Sequence, residues 1–253
     1  MTRRRLVSLI LGLALPVLAP AGSASAAEVK VLCSNGIKAV IEAIVPTFER
    51  ATGHKLVVTY GLAAGLKRKI DAGEPFDVAI LTPQFLDEAI KGGKISAASR
   101  TQIARTGLAI AIRSGAPKTD ISTTDAFKRA LLNARSIVYA GEGASGVAFT
   151  ALAERLGITQ DLKAKSKVTA TGEEVSASVV RGESEFGVLP VSEILPVKGL
   201  EVMAPFPADL QTYVLMVAGS GTSAKQGAGA NELITFLRSP SALPAIKKMG
   251  MER

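Results

Sequence analysis

VKVLCSNGIKAVIEAIVPTFERATG, residues 29–53, decides how this chain is read. Val29, Val31, Leu32 and Cys33 make a short apolar run, the mark of a buried strand. Ser34–Asn35–Gly36 then supplies a turn with the small polar residues that open helices. Ile37, Val40, Ile41, Ile44, Val45 and Phe48 recur at helical spacing, and Gly53 closes the segment. A helix is expected there, kinked at Pro46. Strand, polar turn and amphipathic helix in succession are the unit of an α/β fold with largely parallel sheets.

Outward from this unit the rhythm repeats. Lys55–Tyr60 reads as a strand, Leu66–Ala72 as a short helix, Val78–Leu81 as a strand, and Thr82–Pro83 opens a helix through Lys91. The apolar run Ile103–Ile112, broken by Gly115 and Pro117, reads as the passage into a second lobe. There a helix over Thr124–Asn133 leads to a strand at Ser136–Ala140, the loop Gly141–Gly146, and a helix to Leu156. Thr159–Lys167 reads as a polar connector. A helix over Glu173–Arg181, strands at Phe186–Leu189, Leu200–Met203 and Thr212–Ala218, and helices over Lys225–Leu237 and Ala242–Met249 complete the chain. In open α/β sheets, ligands sit beyond the strand ends, where helix N-termini favour anions. Ser34–Gly36, Gly61–Ala64, Thr82, Gly143–Gly146 and Thr171–Glu173 are therefore the candidate binding turns.

Composition narrows the chemistry. A chain of 253 residues that is 47% hydrophobic and 21% charged is a folded one, long enough for two lobes. One Cys and one His exclude a disulfide scaffold and a His-rich metal site. Arg3–Arg5, the apolar run Leu6–Leu18 and Ala24–Ser25–Ala26 read as a signal peptide over residues 1–26, cleaved after Ala26. Its loss removes three Arg and no acid, so Lys+Arg falls from 30 to 27 against 22 Asp+Glu and the net charge from +8 to +5. Outside the cytoplasm a lone Cys33 is safest buried in a strand. With no Trp, 4% aromatics and only one dense basic cluster, Lys163, Lys165 and Lys167, nucleic acid is not an expected partner and those lysines read as a solvated face.

Other motifs yield to bland readings. Gly141, Gly143 and Gly146 form G-x-G-x-x-G between a strand and a helix, but the polar segment after it lacks the second strand of a dinucleotide fold. A glycine-rich ligand turn is the reading kept. Val147 stands where a nucleophile elbow around Ser145 needs glycine. His54, after Gly53, reads as a surface residue, and Glu173–Glu174 as acids placed for the helix dipole. Lys67–Arg68–Lys69, Arg113 and Arg181 read as solvated charges.

FERATGHKLVVTYG (48–61), GLKRKIDAGEPFDVAIL (65–81), AERLGI (153–158), VVRGESEFGVLP (179–190), QTYVLMVA (211–218) and FLRSPSALPAIKKMG (236–250) resemble periplasmic solute-binding proteins of the molybdate-binding family. The likeness runs over nearly the whole mature chain. It implies a two-lobed periplasmic-binding-protein fold of the type II kind, with two hinge strands and a ligand cleft between lobes. It further implies delivery of the ligand to the membrane subunits of an ABC importer. The family pocket uses two serine hydroxyls, backbone N–H groups and a tyrosine hydroxyl. Laid on this chain without gaps, these fall at Gly36 and Ala63, near Ser145 and Val175, and at Pro190. Three hydroxyl donors are thus missing, so molybdate is not expected to be the best ligand.

The expectations are then definite. Residues 27–107 and 205–253 form lobe 1 and 108–204 lobe 2, with crossings near Arg105–Leu108 and Pro205–Gln211. Ser34, Asn35, Gly36, Ala63, Ala64, Thr82, Ser145, Gly146, Thr171, Val175 and Pro190 line a site for a small anion. The protein is periplasmic and monomeric, holds no cofactor or metal, and is not an enzyme. The rival classes are a secreted hydrolase or lyase on the same scaffold, using a nucleophile and base among Ser34, Ser145, His54 and the acids, and a purely interacting envelope protein.

Overall fold

The computed structural model describes residues 27–253. The expected signal segment, residues 1–26, lies outside them. In chain order the elements are β1 (Glu28–Ser34), α1 (Lys38–Thr52), β2 (Lys55–Gly61), α2 (Ala63–Asp71), β3 (Val78–Leu81), α3 (Pro83–Lys91), β4 (Thr101–Arg113), α4 (Thr124–Asn133), β5 (Ile137–Ala140) and α5 (Ala144–Arg155). They continue with α6 (Thr159–Lys163), β6 (Ser166–Thr169), α7 (Gly172–Val180), β7 (Phe186–Pro190), α8 (Val191–Ile194), β8 (Leu200–Pro205), β9 (Tyr213–Ser220), α9 (Gly227–Arg238) and α10 (Leu243–Lys248). The opening unit folds as its periodicity demands: Val29, Val31 and Cys33 are buried on β1, as are Val40, Ile41, Ile44 and Phe48 on α1. The helix continues through Pro46 and ends at Gly53, whose φ of 78° suits glycine.

The sheet runs β2-β1-β3-β9-β4-β7-β5-β6, with β8 also paired to β4. It is mixed, not largely parallel. β1 pairs parallel with β2 and β3, and β5 with β6 and β7, but β4 and β9 run antiparallel to their neighbours. The long strand β4 changes partners midway: Thr101–Gly107 pair with β9, and Leu108–Arg113 with β7 or β8. At that point Gln211 lends its side chain to the ladder. Its Oε1 accepts from the Leu108 N–H at 2.8 Å and its Nε2 donates to the Leu108 carbonyl at 3.1 Å.

Three local readings are corrected. The polar segment 159–167 is not a connector, because it contains α6 and the start of the edge strand β6. An edge strand faces water along much of its length, so its polarity reflects position and not absence of pairing. Lys165 is not merely solvated either, since its Nζ donates to the Leu132 and Ala134 carbonyls at the end of α4. His54 is buried at 4% exposure, where Nδ1 accepts from the Ala27 N–H at 3.2 Å and Nε2 lies 3.4 Å from Glu232. A surface position for it is therefore wrong, and its contacts hold the start of β1.

Candidate functional site

The turns after β1, β2, β3 and β5 open on one cavity of about 420 Å3, within the range of small-ligand clefts. One wall carries Ser34, Asn35, Gly36, Ala63, Ala64 and Thr82, and the facing wall carries Ser145 and Pro190. Eight of the residues read from the sequence therefore share a cavity. Three do not line it. Gly146 packs against β5, where any side chain would strike the Ala140 carbonyl. Thr171 caps α7 by accepting from the Glu174 N–H at 3.2 Å, while Glu174 returns the bond to the Ala170 N–H at 3.0 Å. Val175 is fully buried one turn further on.

What the wall offers is backbone. The first turns of α2, α3 and α5 point at the cavity through Ala63–Ala64, Gln84–Phe85 and Ala144–Ser145. None of these helices has a side-chain cap. Side-chain caps occur elsewhere, on α4 through Thr123, whose Oγ1 accepts from the Ala126 N–H, and on α7 through Thr171. First-turn N–H groups without partners, at the positive end of the helix dipole, are anion donors. Among the described residues, no Lys, Arg or His lines the cavity.

Of the two acids lining the cavity, Glu142 and Glu193, sequence reading singled out neither. Glu193, on α8, lines the cleft and also a second cavity of about 430 Å3. Gly172 leaves room for its carboxylate, since a side chain there would collide with Oε2. Burial pushes Glu193 up to about 7, Glu173 adds to the rise, and Lys38 opposes it. The helix carrying it is fixed by Ser192, whose Oγ donates to the Gly36 carbonyl at 2.8 Å and whose N–H donates to Thr106 Oγ1 at 3.3 Å. The available signal was one acid inside the otherwise uncharged run Val188–Pro196, just past a buried strand.

Ties across the cleft join its two walls. Asn35 Nδ2 donates to Glu173 at 3.3 Å and Lys38 Nζ lies 3.5 Å from the same carboxylate. Arg68 and Glu142 approach to 3.7 Å on the other rim. Arg68, read as a solvated charge, and Glu173, read as placed for the helix dipole, thus face partners across the gap.

Residues 29–252 match the family of bacterial extracellular solute-binding proteins. The chain belongs to that family. Among relatives, it is 32% identical over 228 residues to an aconitate isomerase from Pseudomonas sp, covering 88% of this chain and 86% of that protein. It is 26% identical over 237 residues to the molybdate-binding protein ModA of Azotobacter vinelandii, covering 90% and 91%. The solved periplasmic molybdate-binding protein of Azotobacter vinelandii superposes with a TM-score of 0.76 at 18% identity, covering 89% of this chain and 99% of that one. The two-lobed solute-binding fold and the resemblance to molybdate-binding proteins are borne out. The expectation that the chain is not an enzyme is overturned, because a relative alike over nearly the whole length carries an isomerase name. Extracellular solute-binding architecture does not exclude catalysis.

Proposed function

We propose that this solute-binding protein is an isomerase of a small unsaturated polycarboxylate of the aconitate class, holding its substrate in the cleft between two lobes. The observation that carries the reading is the convergence of the uncapped first turns of α2, α3 and α5 on one cavity. Several carboxylates need several donors, and backbone N–H groups supply them without positioned cations. Ser34, Asn35, Thr82 and Ser145 add side-chain donors, while Gly36, Ala63, Ala64 and Pro190 leave space for carbon. That mix suits a carbon skeleton better than a compact tetrahedral oxyanion. The relative's name supplies the reaction class.

Isomerising such a double bond moves one proton between carbons and changes no oxidation state. In this reading, residues 27–107 with 205–253 and residues 108–204 are the lobes, Gly107–Leu108 and Gln211 mark the hinge, and the mature chain begins at Ala27 in the periplasm. The test is to incubate the purified mature protein with cis-aconitate and follow trans-aconitate by proton NMR. Catalytic conversion is expected, and none with any unsaturated di- or tricarboxylate overturns the reading. A second reading, capture of an oxyanion for the membrane subunits of an ABC importer, is favoured by the molybdate-binding relatives. Submicromolar molybdate binding without turnover is its signature.

A further inference from the structure

Glu193 has no partner. Among the described residues no hydrogen bond or ion pair engages its carboxylate, although twelve ion pairs occupy other acids, from Glu49 to Glu252. A half-buried carboxyl left unpaired costs stability. Its surroundings are built to admit it. Gly172 leaves the space that Oε2 occupies, and Ser192 ties its helix to the opposite wall. It also separates two spaces, the cleft on one side and the second cavity, lined by Lys38, Glu42, Glu173 and Lys198, on the other.

We propose that Glu193 carries the substrate's proton in the cleft and exchanges it with solvent through the second cavity, an assignment that rests on the isomerase reading above. The carboxylate takes a proton from the saturated carbon beside the double bond. The C–H electron pair becomes a carbanion delocalised through the double bond onto the adjoining carboxylate. Protonated Glu193 then returns a proton to the carbon two positions away, the double bond moves by one bond, and the carboxylate is regenerated. No oxidant or reductant is consumed. The N–H groups of the helix first turns face the charge that develops on the substrate's carboxylates. A general acid and base works best when both its forms are populated at the working pH, which burial of Glu193 arranges. The charges facing it are Glu173 from α7, Lys38 and Glu42 from α1, Lys198 from the segment after α8, and Glu142 from the far side of the cleft.

The test compares wild type and Glu193→Gln with cis-aconitate, in turnover by proton NMR, in binding by calorimetry, and in deuterium uptake from D2O into the substrate. The expected result is a loss of roughly 10²–10⁴-fold in both turnover and deuterium uptake, with affinity changed less than about fivefold. Active wild type with E193Q turnover within about threefold overturns the assignment and leaves the isomerase reading standing. Wild type inactive on every unsaturated polycarboxylate overturns both. Should E193Q fail to fold, Lys38→Met reads the same group: removing the cation moves the midpoint of the kcat–pH profile upward. An unmoved midpoint overturns the assignment.

Discussion

Two glutamates lying beside opposite ends of helix α7 stand in opposite circumstances. Beside its first residue, Gly172, Glu193 is partnerless and pushed up to about 7 by burial. Past its last turn, Glu183 lies on the surface between Arg181 and Lys167, which hold its carboxyl down at about 2. The Ser178–Ser184 hydroxyl contact at 2.9 Å ties that second turn further. The same side chain is thus a fixed charge at one end and a titrating group at the other. The difference lies in what surrounds it. Where the structure only needs the turn, cations and hydroxyls satisfy the acid. At the cleft, Gly172 gives the acid room and no partner is supplied.

Four outcomes sharpen or break this contrast. The largest is expected from Gly172→Val, which drives a side chain into Glu193 Oε2. Turnover should fall at least about a hundredfold while the fold survives at a cost of roughly 1–3 kcal/mol; unchanged turnover would show that Glu193's place is unimportant. Next, Ala144→Pro removes one cleft-facing N–H at the first position of α5, where proline is tolerated and Gly143 is already extended at ψ 151°. Calorimetry should show about ten- to hundredfold weaker substrate binding, as for one hydrogen bond to a charged group of about 1.5–3 kcal/mol.

The third outcome concerns pH. Because the folded protein holds the Glu193 proton up to about 7, it binds more protons than the unfolded chain above the ordinary carboxylate range, and stability falls as pH rises through that window. Glu193→Gln should therefore be more stable than wild type at pH 8, on the order of 2 kcal/mol, with the gain vanishing below about pH 4. Denaturant melts at both pH values check the sign. Glu183 has the reverse sign, since its contribution is present at neutral pH and lost as pH falls toward about 2. Glu183→Gln should lower the melting temperature only slightly at pH 7, as expected of an exposed pair, and leave turnover within twofold. A large loss of turnover there would erase the distinction between the two ends.

The elements of the cleft were legible in local pattern. Apolar runs gave the strands, helical spacing gave α1 and α7, and the small polar turns between them marked where the cavity opens on the sheet. Eight of the candidate residues line one cavity because strand carboxyl ends and helix N-termini are forced together by α/β winding. Gly146 and Val175 were misplaced because, in a first turn, neighbours point in different directions and only packing tells which ones reach the cavity.

The order of apolar and polar residues by itself determined the α/β alternation, the buried β1 and α1, the burial of Cys33 and the turns that line the cavity. Those follow from periods of two and 3.6 residues, which act over a few positions. The mixed sheet, the partner change at Leu108, the edge position of β6 and the isolation of Glu193 were decided only by tertiary structure. Each depends on groups far apart in the chain, such as Gly36 and Ser192. Whether an acid is paired or left alone is a property of what folds around it, and no local pattern encodes it.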